Sequence, residues 1–287
     1  MKKLLSILIA IALMLSLSVT VFAAEEPTLY VAGVAVTSDN LEINSADNGA
    51  ITGSATYDPD TKTLTLNNFS YTGEGYEYNP SGNCAAIYFN PADENAELTI
   101  ELVGTNTVII DNSECTSDAI YIANGNLIIE GNGSLTATGD TGIYAWGNIS
   151  ISGENTSVIA TGNYGIQTNG GDIDIDGGKV EANGGYEGIY SSGNIDIDGD
   201  KVDATGSLDY GIYAAGPLTI NGGIVTVKGS EAGIYVENNI TIDSGTVKAT
   251  ASGDYGKGIF AAGTVIVNGA ADQTEMTLTA KATADGE

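Results

Sequence analysis

Beyond residue 80 the chain is written in short alternations of apolar and polar positions. A small residue, an isoleucine and an aromatic recur together: Ala86-Ile87-Tyr88, Ala119-Ile120-Tyr121, Gly142-Ile143-Tyr144, Gly165-Ile166-Gln167, Gly188-Ile189-Tyr190, Gly211-Ile212-Tyr213, Gly233-Ile234-Tyr235 and Gly258-Ile259-Phe260. Successive isoleucines lie 33, 23, 23, 23, 23, 22 and 25 residues apart. Two further period-2 runs separate the triplets, as in Asn194-Ile195-Asp196-Ile197-Asp198 and Lys201-Val202-Asp203-Ala204-Thr205. Alternation of this kind reads as strand, with Ile195, Ile197, Val202 and Ala204 on one face. No helix-length periodic run follows the first two dozen residues, which argues against helical repeat arrays. The pattern predicts an all-β chain: a right-handed parallel β-helix of about eight coils, roughly 23 residues and three strands in each.

The remaining segments fit around that repeat. Met1-Lys2-Lys3, the apolar run from Leu4 to Phe22 and the small residue Ala23 have the form of a signal peptide, assigned to residues 1–24. Residues 25–85 lack the repeat and read as an N-terminal β cap. In it, Leu29 to Val36 predicts a strand, and Ala55 to Leu66 a hairpin about Asp58-Pro59-Asp60. Residues 86–287 form the repeat domain, and Thr277 to Ala282 matches the third strand of a coil. The 39 glycines fit an array that turns sharply three times per coil.

Stacking places equivalent residues of neighbouring coils about 4.8 Å apart, so sequence columns become ladders. Cys84 and Cys115 precede consecutive triplets and fall in adjacent coils, which suits a disulfide in an exported protein.

Composition then narrows the function. The chain carries 37 acids against nine lysines, a formal charge of −28, with no arginine and no histidine. Nucleic-acid binding is excluded for want of phosphate contacts. Imidazole-based catalysis and zinc sites are excluded with it. Removal of the leader leaves no membrane span and takes two of the lysines away.

Three ladders bear candidate chemistry. Tyr88, Tyr121, Tyr144, Tyr190, Tyr213, Tyr235 and Phe260 form an outward aromatic column broken only by Gln167, with Tyr164, Tyr186, Tyr210 and Tyr255 as a partial second column. Such rings either stabilise the sheet by stacking or offer a platform to sugar rings. Asp174, Asp176, Asp196 and Asp198, with Asp200 nearby, stand outward on the second strands. They form either a solvated acidic face or an oxygen-only set for Ca²⁺. Asn126, Asn148, Asp172, Asn194 and Asn239 mark the start of the second strand, where a side-chain amide can bond backbone along the stack.

The recurring small residue-Ile-Tyr, Gly-Asn-Ile-x-Ile-x-Gly and Val-x-Ala-Thr-Gly motifs resemble the exported clostridial-type parallel β-helix carbohydrate-binding domains, which share their shape with polysaccharide lyases. The resemblance spans about residues 86–282 and implies polysaccharide binding, acidic sugars included, with calcium in the coils. Only Asp118 matches the family's Asp before the Ile step; Thr141, Tyr164, Glu187, Tyr210, Ala232 and Lys257 stand there in later coils.

The sequence thus predicts a secreted or cell-surface, non-catalytic protein. It would bind a polysaccharide or cell-wall glycan through an exposed ladder of Tyr121, Tyr144, Tyr190, Tyr213, Tyr235 and Phe260, with calcium assisting. One alternative is a structural or adhesive surface rod that binds protein or cell wall. A polysaccharide lyase or glycoside hydrolase is the second alternative, disfavoured because no arginine, histidine or singular acid pair is present.

Overall fold

The structure, a computed structural model, describes residues 27–111, 116–268 and 277–282. The leader and Cys115 lie outside them. Among the described residues every regular element is a β-strand, and most strand pairs are parallel. No described helix is long and apolar enough to cross a membrane.

Parallel pairing joins each strand to its counterpart one repeat later. The triplet ladder runs through Ile87, Ile120, Ile143, Ile166, Ile189, Ile212, Ile234 and Ile259 in strict register. A second ladder aligns Leu98, Leu127, Ile149, Ile173, Ile195, Leu218, Ile240 and Val265. The third aligns Val108, Ala137, Ala160, Ala182, Ala204, Val227, Ala249 and Ala280. The isoleucines of the first ladder are fully buried from Ile87 to Ile234, and so are the alanines and valines of the third from Val108 to Ala249. Burial of each large aliphatic contributes about 1.5–3 kcal/mol. Two further columns are buried beside these, Ile129 to Ile242 on the second strand and Leu135 to Val247 on the third, so the core is one continuous stack of apolar columns.

The cap departs from its expected outline in two places. The segment Leu29 to Val36 is a tight hairpin, Leu29–Val31 against Val34–Ala35, because Ala32 and Gly33 both adopt positive φ (53° and 78°). Leu29–Val31 also pairs antiparallel with Cys84–Phe89, closing that edge of the triplet ladder. The hairpin about Pro59 is present as Thr52–Asp58 against Thr63–Gly73. Its second strand pairs in parallel with Glu97–Ile110, so the parallel stacking begins inside the segment that carries no repeat motif. Cys84 is buried and its Sγ donates to the Gly82 carbonyl at 2.9 Å. The expected bond to Cys115 falls outside the described residues.

The amide ladder ties successive repeats together. The Asn126 side-chain oxygen accepts from the Asn148 backbone N–H (2.9 Å), Asn148 from that of Asp172 (2.9 Å) and Asp172 from that of Asn194 (2.7 Å). The series stops at the next repeat, where Pro217 has no N–H to give. It resumes where Asn239 accepts from Thr264 (2.8 Å). Some corners require glycine: Gly223 has φ +74°, and a Cβ there would lie 1.8 Å from the Gly199 carbonyl oxygen.

Two substitutions test this account by urea unfolding. Asn148→Ala removes one inter-repeat link and lowers stability by about 1 kcal/mol. Gly223→Ala meets backbone rather than a movable side chain and costs about 2 kcal/mol or more.

Candidate functional site

Alternation puts the residue after each buried isoleucine on the outer face, and the register stacks those residues directly. Tyr88, Tyr121, Tyr144, Gln167, Tyr190, Tyr213, Tyr235 and Phe260 occupy one column. Ring centroids lie 5.0 Å apart for Tyr121 and Tyr144, 4.9 Å for Tyr190 and Tyr213, and 4.7 Å for Tyr235 and Phe260, all stacked. These spacings match the strand separation, so a ring inside the column has a neighbour over each face. The expected exposed ladder is consequently half-buried: Tyr88 is buried and the other rings are only partly accessible. Ring-on-ring stacking claims the faces that a sugar would need.

The same stacking reaches into the cap. Tyr78 lies over Tyr88 (5.1 Å, 4° between planes) and contacts Tyr121, while Tyr76 stacks on Tyr30 at 3.6 Å. Neither cap tyrosine belongs to a repeat column, so spacing gave no sign of them. Tyr78 also donates to Asp118 Oδ2 at 3.4 Å. Burial lifts the Asp118 carboxyl to about 6, against hydrogen bonds from Thr141 and Tyr78 that favour its charged form.

Interruptions of the stacking leave ring surface without a covering neighbour. The first interruption is Gln167. With no ring in that rung, Tyr144 and Tyr190 stand two strand separations apart, about 10 Å. Tyr164 meets Tyr190 edge-on at 6.0 Å instead of stacking on it. Asn169 donates to the Tyr144 hydroxyl (3.2 Å). Trp146, two residues beyond Tyr144, is 47% exposed and donates from Nε1 to the Tyr121 hydroxyl (3.0 Å). Trp146 was not among the expected site residues, although its spacing from Tyr144 would have placed it beside the column.

A second interruption lies in the neighbouring column, two residues before each isoleucine, which reads Thr141, Tyr164, Glu187, Tyr210, Ala232 and Lys257. Where Ala232 replaces a ring, a cavity of about 410 Å³ opens. Tyr210 and Tyr235, stacked at 4.6 Å, form one wall, and Tyr255, 96% exposed, stands at another. Glu231, Asp254 and Lys257 supply the polar lining. The Tyr210 hydroxyl donates to Glu231 Oε2 (3.2 Å) and the Tyr213 hydroxyl to Glu237 Oε1 (2.8 Å). Burial first, and then the carboxylate partner, push the Tyr210 phenol up to about 12 and raise that of Tyr213 as well. Both phenols therefore remain neutral donors. The Lys257 ammonium sits 4.1 Å above the Phe260 ring.

The acidic column runs along the outer face of the second strands. Asp174 and Asp196 are direct register partners, with Asp176 and Asp198 two residues further along. Burial, followed by repulsion from Asp176, Asp196 and Asp198, raises the Asp174 carboxyl. These side chains stand side by side on an outer face. Among the described residues no group of three or more acids, histidines or cysteines is placed to hold a metal ion.

One acid in the aromatic region is out of the ordinary. Glu187 is only 8% exposed, and its Oε2 has no hydrogen-bond partner. Burial, with Asp209 adding repulsion, lifts its carboxyl to about 7. No family model, curated protein or solved structure matches the chain.

The two most strongly raised carboxyls, Asp118 and Glu187, give a stability profile. Each binds its proton more tightly folded than unfolded, so the folded state gains on acidification. Stability rises as pH falls from about 7 towards 4.5, over the interval between the folded and ordinary values of Glu187. Glu187→Gln flattens that part of the profile and raises the unfolding midpoint at pH 8, read by thermal melts across pH.

Proposed function

We propose that the chain is an exported, non-catalytic polysaccharide-binding module built as a right-handed parallel β-helix with an N-terminal β cap. The parallel register at one-repeat intervals, which resumes after the irregularity at Gly162–Tyr164, supports that architecture. The cavity at Ala232 is the observation that carries the binding reading. It joins aromatic walls to carboxylate acceptors in a volume suited to a short stretch of glycan. A sugar C–H face packs against the exposed Tyr255 ring, with the edges of Tyr210 and Tyr235 beside it, and hydroxyls donate to Glu231 and Asp254. The interruption at Gln167, with the exposed Trp146 beside it, provides a second contact on the same face. An extended chain laid along the strip meets both.

Net charge bears on the ligand. A protein of charge −28 repels polyanions, so neutral glycans are favoured over uronate-rich ones. Catalysis is not part of the proposal. Asp118 and Glu187, the two most strongly raised carboxyls, are separated by three strand spacings, about 14 Å. Retaining and inverting glycosidases need their two carboxyls within about 5–9.5 Å. The surface-rod reading draws on a separate feature: the strand Val265–Val267 carries three side chains between 41% and 44% exposed, an apolar edge suited to a protein partner.

Affinity electrophoresis in gels containing soluble neutral glycans distinguishes the two. The protein is retarded by at least one, and Tyr210→Ala with Tyr255→Ala weakens binding roughly tenfold or more, the scale of one or two lost aromatic contacts. Ala232→Tyr, a residue that the same column already accommodates at Tyr210, closes the cavity and abolishes retardation with the fold intact by circular dichroism. Retardation by no glycan, or unchanged retardation of both variants, removes the proposal and leaves the surface rod.

A further inference from the structure

The aromatic strip contains one charged group that the binding site described so far does not use. Glu187 occupies the ring column between Tyr164 and Tyr210, in register with Tyr164 and three residues before Tyr190. Its side chain is more than nine-tenths buried and one carboxyl oxygen accepts nothing. An unmet acceptor in a low-dielectric setting is costly to maintain. The nearest charge acting on it is a second carboxylate, Asp209, which raises the cost further. Tyr164, the register partner of Glu187, contacts Tyr186 at 5.8 Å and Tyr190 edge-on at 6.0 Å, and the Glu187 charge acts on the Tyr164 phenol. The adjoining break at Gln167 leaves Tyr190 without a stacked neighbour on that side.

A buried anion, a second acid and several tyrosine rings call for the same missing component, a cation with N–H donors. An ammonium satisfies the unmet oxygen, relieves the repulsion from Asp209 and is attracted by ring faces. The rest of the strip is consistent with such a ligand. Glu231 and Glu237 draw the hydroxyl protons of Tyr210 and Tyr213 towards themselves, and Asp254 lines the cavity.

We propose that Glu187 receives a protonated amine of the bound glycan, so that the strip takes a cationic amino-sugar polymer, de-N-acetylated, in preference to its N-acetylated or neutral counterparts. This rests on the polysaccharide reading and specifies its ligand class. The sugar ring lies in the break at Gln167, against Tyr190, with its amine directed at Glu187. An N-acetyl group at the same place carries no charge and cannot compensate the carboxylate.

The test uses the full chain and two soluble probes of equal length, a fully de-N-acetylated chito-oligosaccharide and its N-acetylated form. Titration calorimetry is run near pH 7, where about half of Glu187 is ionised, in about 0.15 M salt, where diffuse attraction between surface charges is largely screened. The expected result is binding of the amine form roughly tenfold tighter or better, the scale of one charge-assisted hydrogen bond. Glu187→Gln abolishes that preference while leaving retardation by neutral glycans unchanged. Equal affinity for the two probes overturns the proposal, as does a preference that survives Glu187→Gln. Equally tight binding of a lysine oligopeptide whose loss does not follow Glu187→Gln also overturns it, since bulk charge then explains the attraction. Release of reducing ends from either probe overturns it too, by making Glu187 a reacting acid. Wild-type protein that binds no glycan of any kind fails the underlying reading instead, a distinct outcome.

Discussion

Strict parallel register between neighbouring repeats governs everything else in this molecule. Once strand meets strand one repeat on, each residue acquires as neighbours its own equivalents above and below, about 4.8 Å away. Like must then tolerate like. Isoleucine on isoleucine builds the core, and amide on backbone N–H links the second strands. Tyrosine on tyrosine stacks favourably at nearly the spacing that strands impose. Aspartate on aspartate does not, and that repulsion adds to burial in making Asp174 hold its proton more tightly than an isolated carboxyl. The same rule that stabilises three columns strains a fourth.

Much of this was legible in the sequence because register converts spacing directly into contact. The isoleucine triplets announce the first ladder, and alternation predicts which way each side chain points. The amide ladder could be read as well, down to its stop at Pro217. Other features escaped because they depend on partners with no periodic signal. Thr63–Gly73 joins the parallel stack without a repeat motif, recruited by backbone pairing alone. Tyr76 and Tyr78 reach the aromatic column from the cap through a local strand and turn. Accessibility was the larger miss: outward direction was plain, but not that each ring would be covered by the next.

The site itself was written as exceptions. Gln167 looks like an imperfection in an otherwise aromatic column, and Ala232 follows Tyr210 in a mixed one, where the structure opens a cavity beside aromatic rings. Glu187 is a third exception, an acid where the neighbouring repeats carry tyrosine. Its burial follows from those tyrosines, whose bulk shields the position from water on either side. The composition that first excluded nucleic acid thus bears on the strip directly. Among the described residues, the strip's one cation acts at Phe260, while acids punctuate the rest.

The coverage of ring faces has an implication for how such a protein changes over generations. Duplicating a perfect Gly-Ile-Tyr repeat would lengthen the rod and bury two more ring faces, yet would create no new place for a ligand. Recognition can arise only when a copy drifts from its template. In this architecture fidelity stores strength and error stores specificity. The number of separate contacts that the rod can make is set by its mismatches, not by its length.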